Sequence, residues 1–314
     1  MKAFAIDELG QPGSLHDISV PEPAEGQVRI RVAAAGLNPF DNAVLQGHLK
    51  DRMEHRFPLV PGVDASGTVE ALGEGVEAWT IGDEVFGSVG KMYLGEGTLA
   101  EFATMSAGTV ARKPASLDHT AAAAIPVAGV TALMMADALQ VSKGRVLVAI
   151  GATGGVGSYF VQLASGRGAQ VVAVCSGENA DYARRLGATE VIDYAAGDVV
   201  EAVRSRHAGG IDAIAEMHRD EGTVAGLAEQ VRSGGHVASA VGGADAEALG
   251  RRGIKATNVV GMVTTASLEA LAATLEREEL TSPDIHSFSL ADAGEALAAV
   301  ATGHVRGKII VTLV

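Results

Sequence analysis

The hexapeptide Ala152-Thr153-Gly154-Gly155-Val156-Gly157 has the residue types to hold a pyrophosphate. It follows the apolar run Val146 to Ile150 and precedes Tyr159, Phe160 and Leu163 at helical spacing, a strand, tight turn and helix in succession. A helix start of this kind turns backbone N–H groups and the positive end of the helix dipole towards an anion. Gly154 lets the backbone approach the phosphates closely and Gly157 lets the helix pack on the strand, while Ala152 occupies the first glycine position of the dinucleotide fingerprint. A second apolar run, Val171 to Val174, comes after Gly166 and Gly168, so the unit has the length of a βαβ crossover and predicts parallel strands.

Other reactive side chains give less. His48, Asp51 and His55 could share one helix face as metal ligands, but polar residues on a mobile loop give the same spacing, and no metal is expected there. Cys175 is the only cysteine, which excludes an intrachain disulfide and any zinc site of several thiolates; it reads as a small residue at a strand end.

The elements that must carry these residues fall into two regions. A chain of 314 residues, 47% hydrophobic and 20% charged, is long enough for two cored domains. Its formal charge of −14, with no basic cluster longer than a pair, excludes a nucleic-acid partner. The most apolar window, Ala121 to Ala136, is shorter than the ~20 residues of a membrane span and reads as the start of a buried helix. The opening MKAFAI is strand-like and carries no leader signature, so a cytoplasmic protein is expected.

From Met1 to Leu117, short alternating runs such as Val28 to Val32 are separated by Gly and Pro turns, which predicts a small, partly closed barrel. Asp41 to Arg56 could be helix or irregular loop. From Asp118 to Val263, strands and helices alternate, with further strands at Val191-Ile192, Ile211 to Ala215, His236 to Ala240 and Thr257 to Met262, giving six parallel strands. Helical patterns at Leu268 to Leu280 and Leu290 to Ala301 and a strand at Lys308 to Leu313 follow, and this segment is expected to pack on the N-terminal domain.

The chain resembles the medium-chain dehydrogenase/reductase superfamily, in its zinc-independent quinone oxidoreductase branch. The resemblance rests on the glycine turn, Ala35 to Asp41, Pro61 to Gly67, Gly129 to Ala132, Leu186 to Ala188 with Val191 to Tyr194, and Gly303 to Lys308. It implies a Rossmann doubly wound parallel sheet at 118–263 and a β-rich GroES-like domain at 1–117 and 264–314. Asn38 and Val63 stand where zinc-dependent relatives have a ligand cysteine and histidine, which implies reduction of a quinone or other α,β-unsaturated carbonyl without a Lewis acid.

The resemblance assigns Asn38 and Asp41 to the cleft beside the nicotinamide; capping of the turn after a strand accounts for them equally. Thr131 matches a threonine at the nicotinamide end, its alternative being a buried helix residue bonded to its own backbone. Cofactor contacts are implied at Thr131, Ala152, Thr153, Gly154, Gly155, Val156, Gly157, Ser176, Tyr194, Val241 and Gly242. NADPH is the expected cofactor, because Val174-Cys175-Ser176-Gly177 offers no carboxylate to the ribose hydroxyls; Asn179 replaces a common lysine and Arg184 could substitute.

The tyrosine acid of enoyl-reducing relatives is missing, with Ala43, Val44 and Leu49 in that region, and Glu216-Met217-His218 replaces a usual aspartate and glycine. Asp41 is a poor proton donor at neutral pH unless its surroundings raise its pKa, so quinones are expected to react faster than enones, with Asn38 mattering more than Asp41. An enoyl reductase for acyl thioesters or polyketides and a non-catalytic, crystallin-like NADPH-binding protein are the alternatives. A homodimer is expected from pairing of an apolar sheet edge at Thr257 to Met262.

Overall fold

The computed structural model describes residues 1–277 and 280–313. It forms two compact units, one of Met1–Val130, Val263–Thr274 and Ser282–Val314, the other of Thr131–Met262 and Leu275–Thr281.

In the first unit a long strand, Gln27–Gly36, is the hub. It pairs antiparallel with Asp64–Leu72, Phe102–Ser106 and Lys308–Thr312. Alternate burial along Gln27–Gly36 puts Val28, Ile30 and Val32 into a core shared with Val69, Val85, Leu99, Met105 and Val311. The strand order in this sheet is Ile285–Ser289, Lys308–Thr312, Gln27–Gly36, Asp64–Leu72, Glu84–Ser88 and Val110–Arg112. Register sets Ile310 opposite Gly36, and Gly36 opposite Asp64. The strand ends that carry Lys308, Asp64 and the turn at Asn38 thus meet at one corner.

Asp41 to Arg56 resolves into a short helix, Pro39–Leu45, then turns, then a strand, Glu54–Val60. Gly82 turns the chain at φ +95° and leaves Ile81 exposed, and the strand Glu84–Ser88 follows that corner.

The second unit is built on six parallel strands in the order Glu190–Asp193, Gln170–Cys175, Val146–Ile150, Ile211–Glu216, Val231–Ser239 and Lys255–Asn258. That order, 3-2-1-4-5-6, is the Rossmann arrangement, with its switch point between Val146–Ile150 and Ile211–Glu216. Val146–Ile150 is buried along its whole length, as a strand covered on both faces must be.

Two expected elements differ. The edge strand is Lys255–Asn258, not Thr257 to Met262: the Asn258 side chain bonds both Ala244 backbone groups, and the chain then leaves the ladder with Val260 and Met262 exposed. The edge is therefore polar rather than apolar. The helix expected at Leu268 to Leu280 runs over Thr265–Arg277, and its part at 278–279 lies outside the described residues. Among the described residues, no helix is long and apolar enough to cross a membrane.

Candidate active site

The first unit holds a buried polar cluster at the corner described above. Asn38, Asp41, Asp64 and Lys308 are each at most 5% exposed. Asn38 begins the helix Pro39–Leu45, and its backbone N–H donates to Asp41 Oδ2 at 2.7 Å, so the capping role open to Asp41 is present in the fold. The Asn38 amide is held at both ends, Nδ2 donating to Asp64 Oδ2 at 2.9 Å and Oδ1 accepting from Lys308 Nζ at 2.8 Å. Lys308 also donates to the Leu37 carbonyl at 2.7 Å, and Val127 N–H donates to Asp64 Oδ2 at 3.1 Å.

Burial pushes the Asp41 carboxyl up to about 7; the Asp64 charge adds to the rise, and the Asn38 N–H and Lys308 oppose it. Burial likewise pushes Asp64 up to about 6 against Lys308 and the Asn38 amide, and pushes Lys308 below its ordinary value. The surroundings that sequence alone could not supply for Asp41 are thus present. Beside the cluster lies a pocket of about 160 Å³ in the same unit, lined by Phe40, Asp41, Val44, Val60, Val63 and Leu94 among others.

Asp64 and Lys308 were not among the expected site residues. Both lie within segments that carry the family resemblance, and the available signal is a lysine at the head of the apolar strand KIIVT. Zinc does not fit this corner. Val63 offers no donor atom, the Asn38 amide is already bonded at both ends, and among the described residues no three His, Cys, Asp or Glu side chains gather as ligands.

The glycine turn belongs to the second unit. Gly154 is the N-cap of the helix Gly155–Gly166, which starts without a side-chain cap, leaving its first N–H groups without a side-chain partner. A Cβ added at Gly157 would fall 2.6 Å from the Ala152 carbonyl carbon, so packing alone requires glycine there. A Cβ at Gly154 would meet only Gly151 O, at 3.6 Å, and its φ of −78° suits any residue. Nothing in the protein fills that space, which is the cradle a pyrophosphate needs; the turn fits the dinucleotide. Ala152 and Thr153 are buried, while Gly155 and Val156 are partly exposed in the first helical turn.

Tyr194 is half exposed, and its N–H donates to the Cys175 carbonyl at 3.3 Å, which brings it to the strand end where Ser176 follows. Cys175 itself is buried and its thiol is pushed up to about 11. The expectation that no carboxylate stands here needs correction: Ser176 Oγ donates to Glu178 Oε1 at 3.4 Å, and a Cβ on Gly177 would lie 2.5 Å from Asp193 Oδ2. The turn after Cys175 folds Glu178 back on Ser176, and Asp193 reaches Gly177 from the end of the neighbouring strand. Arg184 meanwhile pairs with Asp181 at 2.8 Å. Val241 and Gly242 lie on the loop after Val231–Ser239, tied by Ser239 Oγ, which accepts from the Val241 and Gly243 N–H groups, and by Arg219, which donates to the Val241 carbonyl. Thr131 is buried in the helix Pro126–Ala138 and is counted with this unit.

Known proteins resemble the chain throughout. Residues 24–115 match the model of the alcohol dehydrogenase GroES-like domain and residues 186–311 that of the zinc-binding dehydrogenase. The chloroplast envelope quinone oxidoreductase homolog of Arabidopsis thaliana is 36% identical over 193 residues, 59% of this chain and 58% of that protein. The quinone oxidoreductase from Coxiella burnetii has a solved structure that matches with a TM-score of 0.89 at 29% identity, covering 100% of this chain and 99% of that one. An alcohol dehydrogenase superfamily protein from Novosphingobium aromaticivorans matches with a TM-score of 0.85 at 30% identity over 100% of both chains. The matched stretch spans only 58% and 57% of the length of the first curated relatives.

Proposed function

We propose a function for this chain from its family: it belongs to the medium-chain dehydrogenase/reductase superfamily, in the quinone oxidoreductase branch, and it reduces a quinone or other α,β-unsaturated carbonyl with a nicotinamide cofactor and without zinc. One observation carries the reading. At the two positions where zinc-dependent relatives have ligands stand a valine and an amide already bonded to Asp64 and Lys308. No Lewis acid can be held there to activate a carbonyl, so the acceptor must already be electrophilic.

When bound, the reduced cofactor supplies a hydride. Gly154, Gly155, Val156 and Gly157 hold its pyrophosphate on the helix start, with Thr131, Val241 and Gly242 on the nicotinamide side. The second N–H of the Asn38 amide orients the acceptor carbonyl. Residues 1–117 and 264–314 form the catalytic domain and 118–263 the cofactor domain. NADPH is the reductant, its adenosine phosphate taken by Ser176 and Tyr194 once Glu178 turns away. A cytoplasmic homodimer follows from the family resemblance and not from the sheet edge, which is polar at Lys255–Asn258; light scattering at micromolar concentration would return a dimer mass.

The decisive measurement is cofactor oxidation, followed by nicotinamide absorbance, with a panel of quinones, enones and acyl thioesters. Consumption of quinones and enones, with acyl thioesters slow, is expected. Tight cofactor binding with no oxidation by any acceptor would leave a non-catalytic dinucleotide-binding protein instead.

A further inference from the structure

The buried corner holds two carboxylates and one ammonium: Asp41 is 1% exposed, Asp64 0% and Lys308 4%. Lys308 balances one negative charge. A second bare carboxylate in the same dry place has no partner to offset its desolvation, so the cluster retains a proton near neutral pH.

The hydrogen bonds show where that proton sits. Asp64 Oδ2 accepts from two N–H groups, Asn38 Nδ2 and the Val127 backbone, which favours its ionised form. Asp41 Oδ2 accepts from the Asn38 N–H, and the Gly62 N–H is a second, lesser donor to that carboxyl. The Ser88 hydroxyl is a third donor to Asp64 and commits that carboxylate further to the charged form. A protonated Asp41 needs an acceptor for its O–H, and Asp41 is the member of the cluster that lines the pocket.

The other titratable groups on the pocket wall are tied to one another. Lys91 Nζ and Tyr93 Oη both donate to Glu96 Oε2, at 2.6 and 2.7 Å. Burial and Glu96 together push the Tyr93 phenol up to about 12, so it does not replace the missing tyrosine acid.

We propose that Asp41 is the acid that protonates the reduced acceptor in this pocket, with Asp64, Lys308 and Asn38 as positioning residues that keep the proton on Asp41. The proposal rests on the reductase reading above. For an enone, the β-carbon gains the hydride with its electron pair, and the C=C pair shifts so that charge collects on the carbonyl oxygen. The Asp41 O–H bond breaks and its proton passes to that oxygen, giving an enol that tautomerises to the saturated ketone. The Asp41 carboxylate then recovers a proton from water. A quinone product needs this help less, because its hydroquinone anion is stable enough to be protonated by solvent.

Two measurements test the assignment. Infrared titration of the protein alone should show a protonated carboxyl band that disappears as pH passes about 7 and is absent from Asp41→Asn; a wild type without that band overturns the proposal, whatever the enzyme's substrate. In single-turnover reactions with saturating cofactor, Asp41→Asn should lower enone reduction by roughly 100-fold and quinone reduction by much less, so that the enone-to-quinone rate ratio drops at least about tenfold. The wild-type enone rate should fall above pH of about 7; Asp64→Asn should move that break down and Lys308→Met should move it up. An Asp41→Asn enzyme that keeps the wild-type enone rate and the same break overturns the proposal. Failure of the wild type with both acceptors, when the infrared band is present, counts against the reductase reading and leaves the protonated carboxyl standing.

Discussion

Lys308 Nζ donates to Asn38 Oδ1 at 2.8 Å, so the only buried cation of this corner fixes which way the amide faces. With its oxygen held by Lys308, the amide must turn its NH₂ to Asp64. Removing the ammonium leaves the buried Asp64 carboxylate without a counter-charge beside Asp41. Lys308→Met should therefore cost about 3–5 kcal/mol of stability by chemical denaturation, and adding Asp64→Asn should restore part of it. Strictly additive losses would show that the charges do not interact.

The same cluster gives stability a sign in pH. The Asp41 carboxyl is raised in the fold from its ordinary 3.8 to about 7, so the folded state binds more protons than the unfolded chain between those values. The stabilising contribution is complete below the unfolded value and is lost as pH rises through the folded one. Wild-type stability should fall relative to Asp41→Asn between pH of about 4 and 7, by an amount on the order of 4 kcal/mol. Parallel denaturation curves for the two proteins across that range would contradict the assignment.

Two glycines of the turn should separate packing from binding. Gly157→Ala forces a methyl into the Ala152 backbone and should lower the melting temperature sharply. Gly154→Ala meets nothing closer than 3.6 Å and should keep the melting temperature while weakening dinucleotide binding by about tenfold or more, as read by fluorescence titration.

Cofactor choice should answer to Glu178. Its carboxylate accepts from Ser176 Oγ, where the adenosine phosphate is proposed to sit. Glu178→Gln should raise affinity for NADPH by about three- to tenfold, leave NADH nearly unchanged, and lose most of its effect at high salt. An equal gain for both cofactors would place Glu178 away from that phosphate.

Much of this fold is legible in the residues because its strands are buried on both faces. Val146 to Ile150 is continuously apolar and followed by glycines, and it forms the expected central strand residue for residue. The apolar stretch at Val259 and Val260 misled for the same reason, since it lies beyond the end of the ladder at Asn258, and only the bonds of that side chain to Ala244 mark the end. At the candidate site, Asn38 and Asp41 were visible as a turn signature. Lys308 was not, because its partner is 270 positions away and no local pattern records a long-range charge pair. The Asp41 environment was hidden likewise, being the product of three segments converging. Glu178 could have been suspected, since a carboxylate two residues past Ser176 can fold back when the turn is tight.

The placement of Lys308–Thr312 beside Gln27–Gly36 imposes an order on biosynthesis. A ribosome makes Asn38, Asp41 and Asp64 early, then the whole of the parallel sheet, and only afterwards the lysine that neutralises their corner. The nascent chain therefore exposes the Ala34–Gly36 end of that strand's edge and an uncompensated acidic notch for as long as the second unit takes to be translated. Domains fold as units during synthesis, so the parallel-sheet unit, fully translated at Thr281, can mature before Lys308 is made. The corner of Asn38, Asp41 and Asp64 stays without its counter-charge until the finished strand docks.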